Sequence, residues 1–246
     1  MQFFQQTSLV ALSDTDPELV EHFGSSVLDE VRRESDMTEH DRLLLQLGAL
    51  IASQAPRAYE ATLSQALAAG VSAVEIKEVV YHAIPYIGMA TMLDYLDATN
   101  AALVAHDVTL PLPPQATTTA SNRFDKGLAI QKQLFGAAIE RMQASTPSDK
   151  QHIPRLLSAN CFGDYYTRGG LDMPLRELLT FAMLIAMGGC EPQVKSHVAG
   201  NLSAGNDRAR LIDVVTQLLP FIGYPRALNA LAAIDAVAPA AQQGDG

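Results

Sequence analysis

The sequence predicts an all-α fold made of two tandem copies of one helical unit. Its apolar residues, 48 % of the 246, are mostly Ala and Leu, with 6 % aromatics and no Trp, a palette suited to close-packed helices. Helix-start signals (Asp-Pro, Ser-x-x-Glu) and helix-stop glycines recur along the chain. Sliding the chain against itself by 135 positions, without a gap, pairs Leu43 with Leu178, Leu67 with Leu202, Gly70 with Gly205, Val79 with Val214 and Leu93 with Leu228. The Pro85-x-Ile87-Gly88 turn falls on Pro220-x-Ile222-Gly223 at the same offset, and that shared offset identifies a repeat.

Asp16 and Pro17 form a cap and first-position pair that opens a helix through about Arg33. Thr38, with Asp41 three residues later, opens a second; its span Arg42 to Ala52 is apolar nearly all round and is expected to be buried. Pro56 starts a third helix, ended by Gly70. Ser72 to Glu75 is a capping box for a fourth, which carries Ile76, Val79 and Val80 inward and is expected to be interrupted at Pro85. A last helix of this half runs to about Ala105. The first repeat therefore spans 1–106, and the Pro- and Thr-rich stretch 107–121 reads as a linker.

The second repeat is assigned to 122–237, with 238–246 as a flexible tail. Asn122 to Met142 reads as one long amphipathic helix. A turn follows near Pro147, and another helix carries Leu156, Leu157, Phe162 and Tyr165 towards Arg168-Gly169-Gly170. Pro174 begins an apolar helix bearing Glu177. After the Gly188-Gly189 break, a helix starts at Glu191 or Pro192 and stops at Gly205.

A formal charge of −10, without clustered Lys and Arg, speaks against nucleic acid. Neither a secretory signal nor an apolar stretch of membrane length is apparent, so a cytoplasmic protein without a membrane partner is the expectation. Two cysteines, Cys161 and Cys190, do not make a disulfide framework. The remaining histidines show no metal spacing and there is no Gly-rich phosphate loop, so no metal and no cofactor is expected.

Chemistry concentrates around Gly188 to His197. Cys190 lies beside a helix N-terminus, where aligned dipoles would lower a thiol pKa, and His197 follows two turns later on nearly the same face. A thiol and an imidazole could therefore meet, and the Gly188-Gly189 break would let the Glu177 carboxylate approach them. Arg168 could grip a substrate carboxylate or staple its own loop through a salt bridge. Tyr165 and Tyr166 read as wall and core, Cys161 as a buried apolar residue. At the positions of Glu177, Cys190 and His197 the first copy has Arg42, Ala55 and Thr62, so the polar set belongs to the second half alone.

The run Phe162-Gly163-Asp164-Tyr165-Tyr166-Thr167-Arg168-Gly169-Gly170-Leu171, then Arg176 to Thr180, His197 with its small-residue helix to Gly205, and Pro220 to Pro225 resemble the carboxymuconolactone decarboxylase family, which includes alkylhydroperoxidase-like proteins. The resemblance covers Asn122 to Ala236, with a weaker echo over residues 16 to 105. It implies an alkylhydroperoxidase-like helical bundle and a homo-oligomer around a threefold axis, a trimer equivalent to six units. In the hydroperoxidase branch a CxxC pair works with a histidine and an upstream glutamate. Glu177, Cys190 and His197 match that set, but Gln193 replaces the second cysteine. The decarboxylase branch keeps the histidine without the cysteines and typically has an acidic residue where Gln193 falls.

The resulting expectation is an enzyme acting on a small carboxylated lactone or carbonyl substrate. His197 transfers the proton, Glu177 sets its tautomer, and Arg168 fixes an anionic group. Cys190 as a peroxide-reducing thiol, and a non-catalytic binding or assembly module, are the alternatives.

Overall fold

The computed structural model describes residues 12–240; the ends of the first repeat and of the tail assigned above, 1–11 and 241–246, lie outside it. Among the described residues there are twelve helices and no strand. Helix α1 runs from Pro17–Val20 through a π-helical segment, Glu21–Val27, into Leu28–Arg33. There follow α2 (Glu39–Ala52), α3 (Pro56–Ala68), α4 (Ala73–Ile87) and α5 (Met89–Ala105). The second half comprises α6 (Arg123–Phe135), α7 (Ala137–Ser145) and α8, which is His152–Leu156 widening into the π segment Leu157–Tyr166. It ends with α9 (Met173–Met187), α10 (Glu191–Ala204), α11 (Arg208–Ile222) and α12 (Tyr224–Val237).

Local chemistry sets the helix starts. The Thr38 hydroxyl accepts from the Asp41 amide, and Ser72 and Glu75 form both halves of a capping box. Gly205 closes α10 in the left-handed region at φ 100°. Pro85 does not interrupt α4, contrary to expectation. It stands two residues from the helix end, so its missing N–H forfeits a single bond, and the Gly88 amide still reaches the Ile84 carbonyl at 2.9 Å. The stretch 122–142 is likewise not one helix: Gly136, at φ 56°, breaks it into α6 and α7.

One hydrophobic core runs through both copies. Helices α2 and α9, equivalent in the repeat, form its centre and pack against each other. Gly48 on α2 permits the approach, since a Cβ there would sit 2.3 Å from Leu179 Cδ1. The copies therefore shield each other's apolar faces, each burying what it could not bury alone. A smaller cluster of Leu134, Cys161, Phe162 and Tyr166 ties α6 to α8. The connector 107–121 is helix-free as expected, yet it is strapped down: Gln115 O accepts from the Gly169 amide, and the Thr117 and Thr118 hydroxyls donate to the carbonyls of Thr167 and Gly163. Among the described residues no helix is long and apolar enough to cross a membrane.

Candidate active site

Glu177 lies in the buried middle of α9 and His197 on α10. The glycine turn between these helices brings His197 Nδ1 to 2.9 Å from Glu177 Oε2. Asn201 fixes the pairing of the two helices by donating to the Glu177 and His197 carbonyls, at 3.0 and 2.7 Å. Gly200, one turn from His197, is where the carboxylate passes α10: a Cβ there would lie 2.5 Å from Glu177 Oε2. The ring of Phe135 meets the imidazole edge-on at 5.3 Å.

The second carboxylate oxygen accepts from the Tyr166 hydroxyl at 2.7 Å. Tyr166 in turn meets Thr180 Oγ1 at 2.7 Å, and Thr180 meets both Tyr86 OH and His82 Nε2 at 2.9 Å. Arg176 reaches His82 Nδ1 at 3.4 Å and Glu78 Oε2 at 3.0 Å. Because a guanidinium can only donate, it sets the tautomer of His82: Nδ1 accepts, and Nε2 carries the proton and donates to Thr180. Burial, reinforced by the Arg176 charge, holds the His82 pKa well below the ordinary imidazole value and keeps the ring neutral. The donors thus point one way, from Arg176 through His82, Thr180 and Tyr166 to Glu177. A fully buried carboxyl group needs such an arrangement to satisfy both its oxygens.

His197 Nδ1 is occupied by Glu177, and Nε2 has no hydrogen-bond partner among the described residues. The imidazole, 12 % exposed, lines a hollow of about 830 Å³. Its walls are largely apolar, from Leu134, Phe135, Ile139, Met142, Leu157 and Phe162, with Gln131, Gln133, Gln193, Ser196 and Ser203 as polar points and no Lys or Arg. Pro85 and Tyr86, from the first copy, close one side.

Two of the expected residues lie elsewhere. Cys190 is the N-cap of α10, at φ −133° and ψ 39°, so the helical spacing from Cys190 to His197 does not apply to it. Its thiol points back to the Leu184 carbonyl at 3.2 Å and lines a separate hollow of about 260 Å³. Nor is its pKa lowered. Burial first, then the neighbouring Glu191 charge, raise it above the ordinary thiol value, outweighing the helix dipole. Arg168 is also absent from the His197 hollow. Its Nε and Nη2 grip Glu78 at 2.8 to 3.0 Å, the loop-stapling option, and it lines a third hollow with Glu78. Cys161 does line the His197 hollow, but burial pushes its thiol up to about 12.

Tyr166, Thr180, Tyr86 and His82 were not singled out by sequence reasoning as parts of the site. Their signal lay in the repeat: at the 135 offset Tyr166, Thr180 and Tyr86 face the apolar Val31, Leu45 and Phe221, and His82 faces Gln217, so the residue chemistry differs between the copies there as it does at Glu177 and His197. Among the described residues no group of three or more His, Cys, Asp or Glu is placed to hold a metal ion.

A family-by-family comparison matches residues 17–101 and 151–236 to the carboxymuconolactone decarboxylase family. The matched segments leave out α6 and α7, which nevertheless supply much of the hollow's wall. No curated protein sequence matches the chain. With both halves covered, the chain belongs to the carboxymuconolactone decarboxylase family as a member carrying two copies in tandem.

Proposed function

We propose that the chain is an enzyme that moves a proton to or from carbon in a small carbonyl or lactone compound, decarboxylation of a carboxylated lactone being one form of that reaction. The observation that carries this reading is the Glu177–His197 pair, with Nε2 facing a largely apolar hollow. Glu177 accepts the Nδ1 proton, so the neutral ring presents a bare Nε2 as base; once protonated, Nε2 is the acid and the carboxylate balances the imidazolium. The electron pair left on carbon by departing carbon dioxide, or by a removed proton, delocalises onto the adjacent carbonyl; after proton removal Nε2 returns that proton, and after loss of carbon dioxide the imidazolium, charged from solvent beforehand, delivers its own. Gln131, Gln133 and Gln193 can donate to that carbonyl oxygen. With no cation in the wall, the hollow favours substrates whose recognised part is neutral.

Cys190 takes no part in this reading: its thiol has a raised pKa, is hydrogen-bonded to a backbone carbonyl and faces another hollow. The reading includes a homo-oligomer, with a trimer as the assembly. Met89 and Leu93 on α5 are exposed, and so are their repeat equivalents Tyr224 and Leu228 on α12, so each chain carries the same apolar surface twice. Light scattering on the purified chain tests that.

The catalytic test is solvent-deuterium incorporation and carbon dioxide release across a panel of 2-acyl and 2-carboxy lactones. Turnover by the native chain that falls about 100-fold or more in His197→Gln is the expected result. Turnover unchanged in His197→Gln, with the fold intact, would sink the proposal; no turnover by the native chain on any member of the panel would favour a binding module, and peroxide consumption lost in Cys190→Ser would favour the thiol reading.

A further inference from the structure

At the other end of the buried hydrogen-bond chain, Glu78 and Arg168 line the third hollow, of about 720 Å³. Its apolar wall combines Val74, Ile84 and Met89 with Leu110, Leu112 and Pro114 of the connector. Two cations face one aromatic ring inside it. Lys77 Nζ stands 5.2 Å and Arg168 Cζ 4.9 Å from the Tyr81 centroid.

The cations are incompletely used. Lys77 is 8 % exposed and gives a single hydrogen bond, to Asn100 Oδ1 at 2.6 Å, with no carboxylate in ion-pair range among the described residues. Arg168 spends Nε and Nη2 on Glu78, and its Nη1 has no hydrogen-bond partner among the described residues. Glu78 also serves Arg176, so one carboxylate stands against three cations in a chain whose net charge is −10. Burial alone holds the Lys77 ammonium below the ordinary lysine value, the mark of a buried cation without a counter-ion.

We propose that this hollow binds a small organic anion with a flat apolar body. Lys77 Nζ and Arg168 Nη1 take its carboxylate, and Tyr81 and the proline-rich connector take its body. The site stands independently of the proton-transfer reading, because it shares no wall residue with the His197 hollow. Free phosphate would leave the apolar wall unused, and a neutral aromatic would leave both cations unpaired.

The probe is 2-naphthoate, whose fluorescence can be followed in a chain that contains no Trp. The expected result is saturable binding about tenfold or more tighter than that of 2-naphthylmethanol, a preference worth one charge-assisted hydrogen bond. Lys77→Met removes the preference, Lys77→Arg keeps it, and Tyr81→Leu weakens both ligands. Met142→Gln, which alters only the wall of the His197 hollow, leaves naphthoate binding unchanged. Equal binding of acid and alcohol, or unchanged naphthoate affinity in Lys77→Met with native melting behaviour, would overturn the proposal. So would a loss of naphthoate binding in Met142→Gln.

Discussion

His197 and Thr62 hold the same place in the two copies, 135 residues apart, and their surroundings diverge completely. Beside His197 the Glu177 carboxylate is met at both oxygens, by the imidazole and by the Tyr166 hydroxyl, and the donors converge on it. The first copy has no acid at the equivalent of Glu177. The position of Glu177 holds Arg42, which turns to Gln46 and Glu39, and the Thr62 hydroxyl is buried without a hydrogen bond. The scaffolds stay alike because both must fill one shared core, whereas the polar residues answer only to their own surroundings. Ion pairs between the copies carry the same lesson with the charges exchanged: Arg176 of the second copy meets Glu78 of the first, and Asp41, at the position of Arg176, meets Arg210. What the repeat preserves is shape and burial; sign and chemistry are free to invert.

The strongest way to break this comparison is to remove the acid from one copy and its counterpart from the other. Glu177→Gln is expected to lower kcat about 100-fold or more, because the amide no longer sets the imidazole tautomer or balances its charge. Arg42→Gln should leave kcat unchanged, and steady-state turnover of the two variants side by side checks both. Gly200→Ala comes next. Its methyl group would have to displace the Glu177 carboxylate, and a loss of about tenfold or more in kcat with an intact helical circular dichroism spectrum is expected.

A smaller effect concerns pH. The folded pKa of His82 lies well below its unfolded value of 6.5, so its neutral form adds stability that is complete above pH 6.5 and is lost as pH falls towards the folded pKa. His82 faces Arg176, Thr180, Tyr166 and Tyr86, none of which gains a compensating negative charge in that window. Urea midpoints of the native chain should therefore fall between pH 7.5 and 5. In His82→Gln, which borrows the residue of the equivalent Gln217, the fall should be shallower. The least change is expected in the first copy: Thr62→Val removes a buried hydroxyl with no partner and should stabilise the chain by about 1 kcal/mol, read as a small rise in Tm.

The helices and the repeat were legible because they rest on local signals, caps, stop glycines and a fixed offset, which the structure retains. The Glu177–His197 pair was legible because it lies on two consecutive helices joined by a glycine turn. Cys190 was not, since helical spacing was extended onto a cap residue whose backbone is not helical. Arg168 could not be placed either: its partner Glu78 stands 90 residues away in the other copy, and nothing local points to it. The break at Gly136 was hidden by an apolar period that continues across it, as α7 resumes after a single residue.

His82 and Tyr86 belong to the half that lacks the Glu–His pair, yet one sits in the hydrogen-bond chain behind Glu177 and the other lines the His197 hollow. The silent half is therefore not a passive fossil of duplication. It supplies side chains across the seam, and cutting the chain at the connector would leave neither piece with a complete wall around His197.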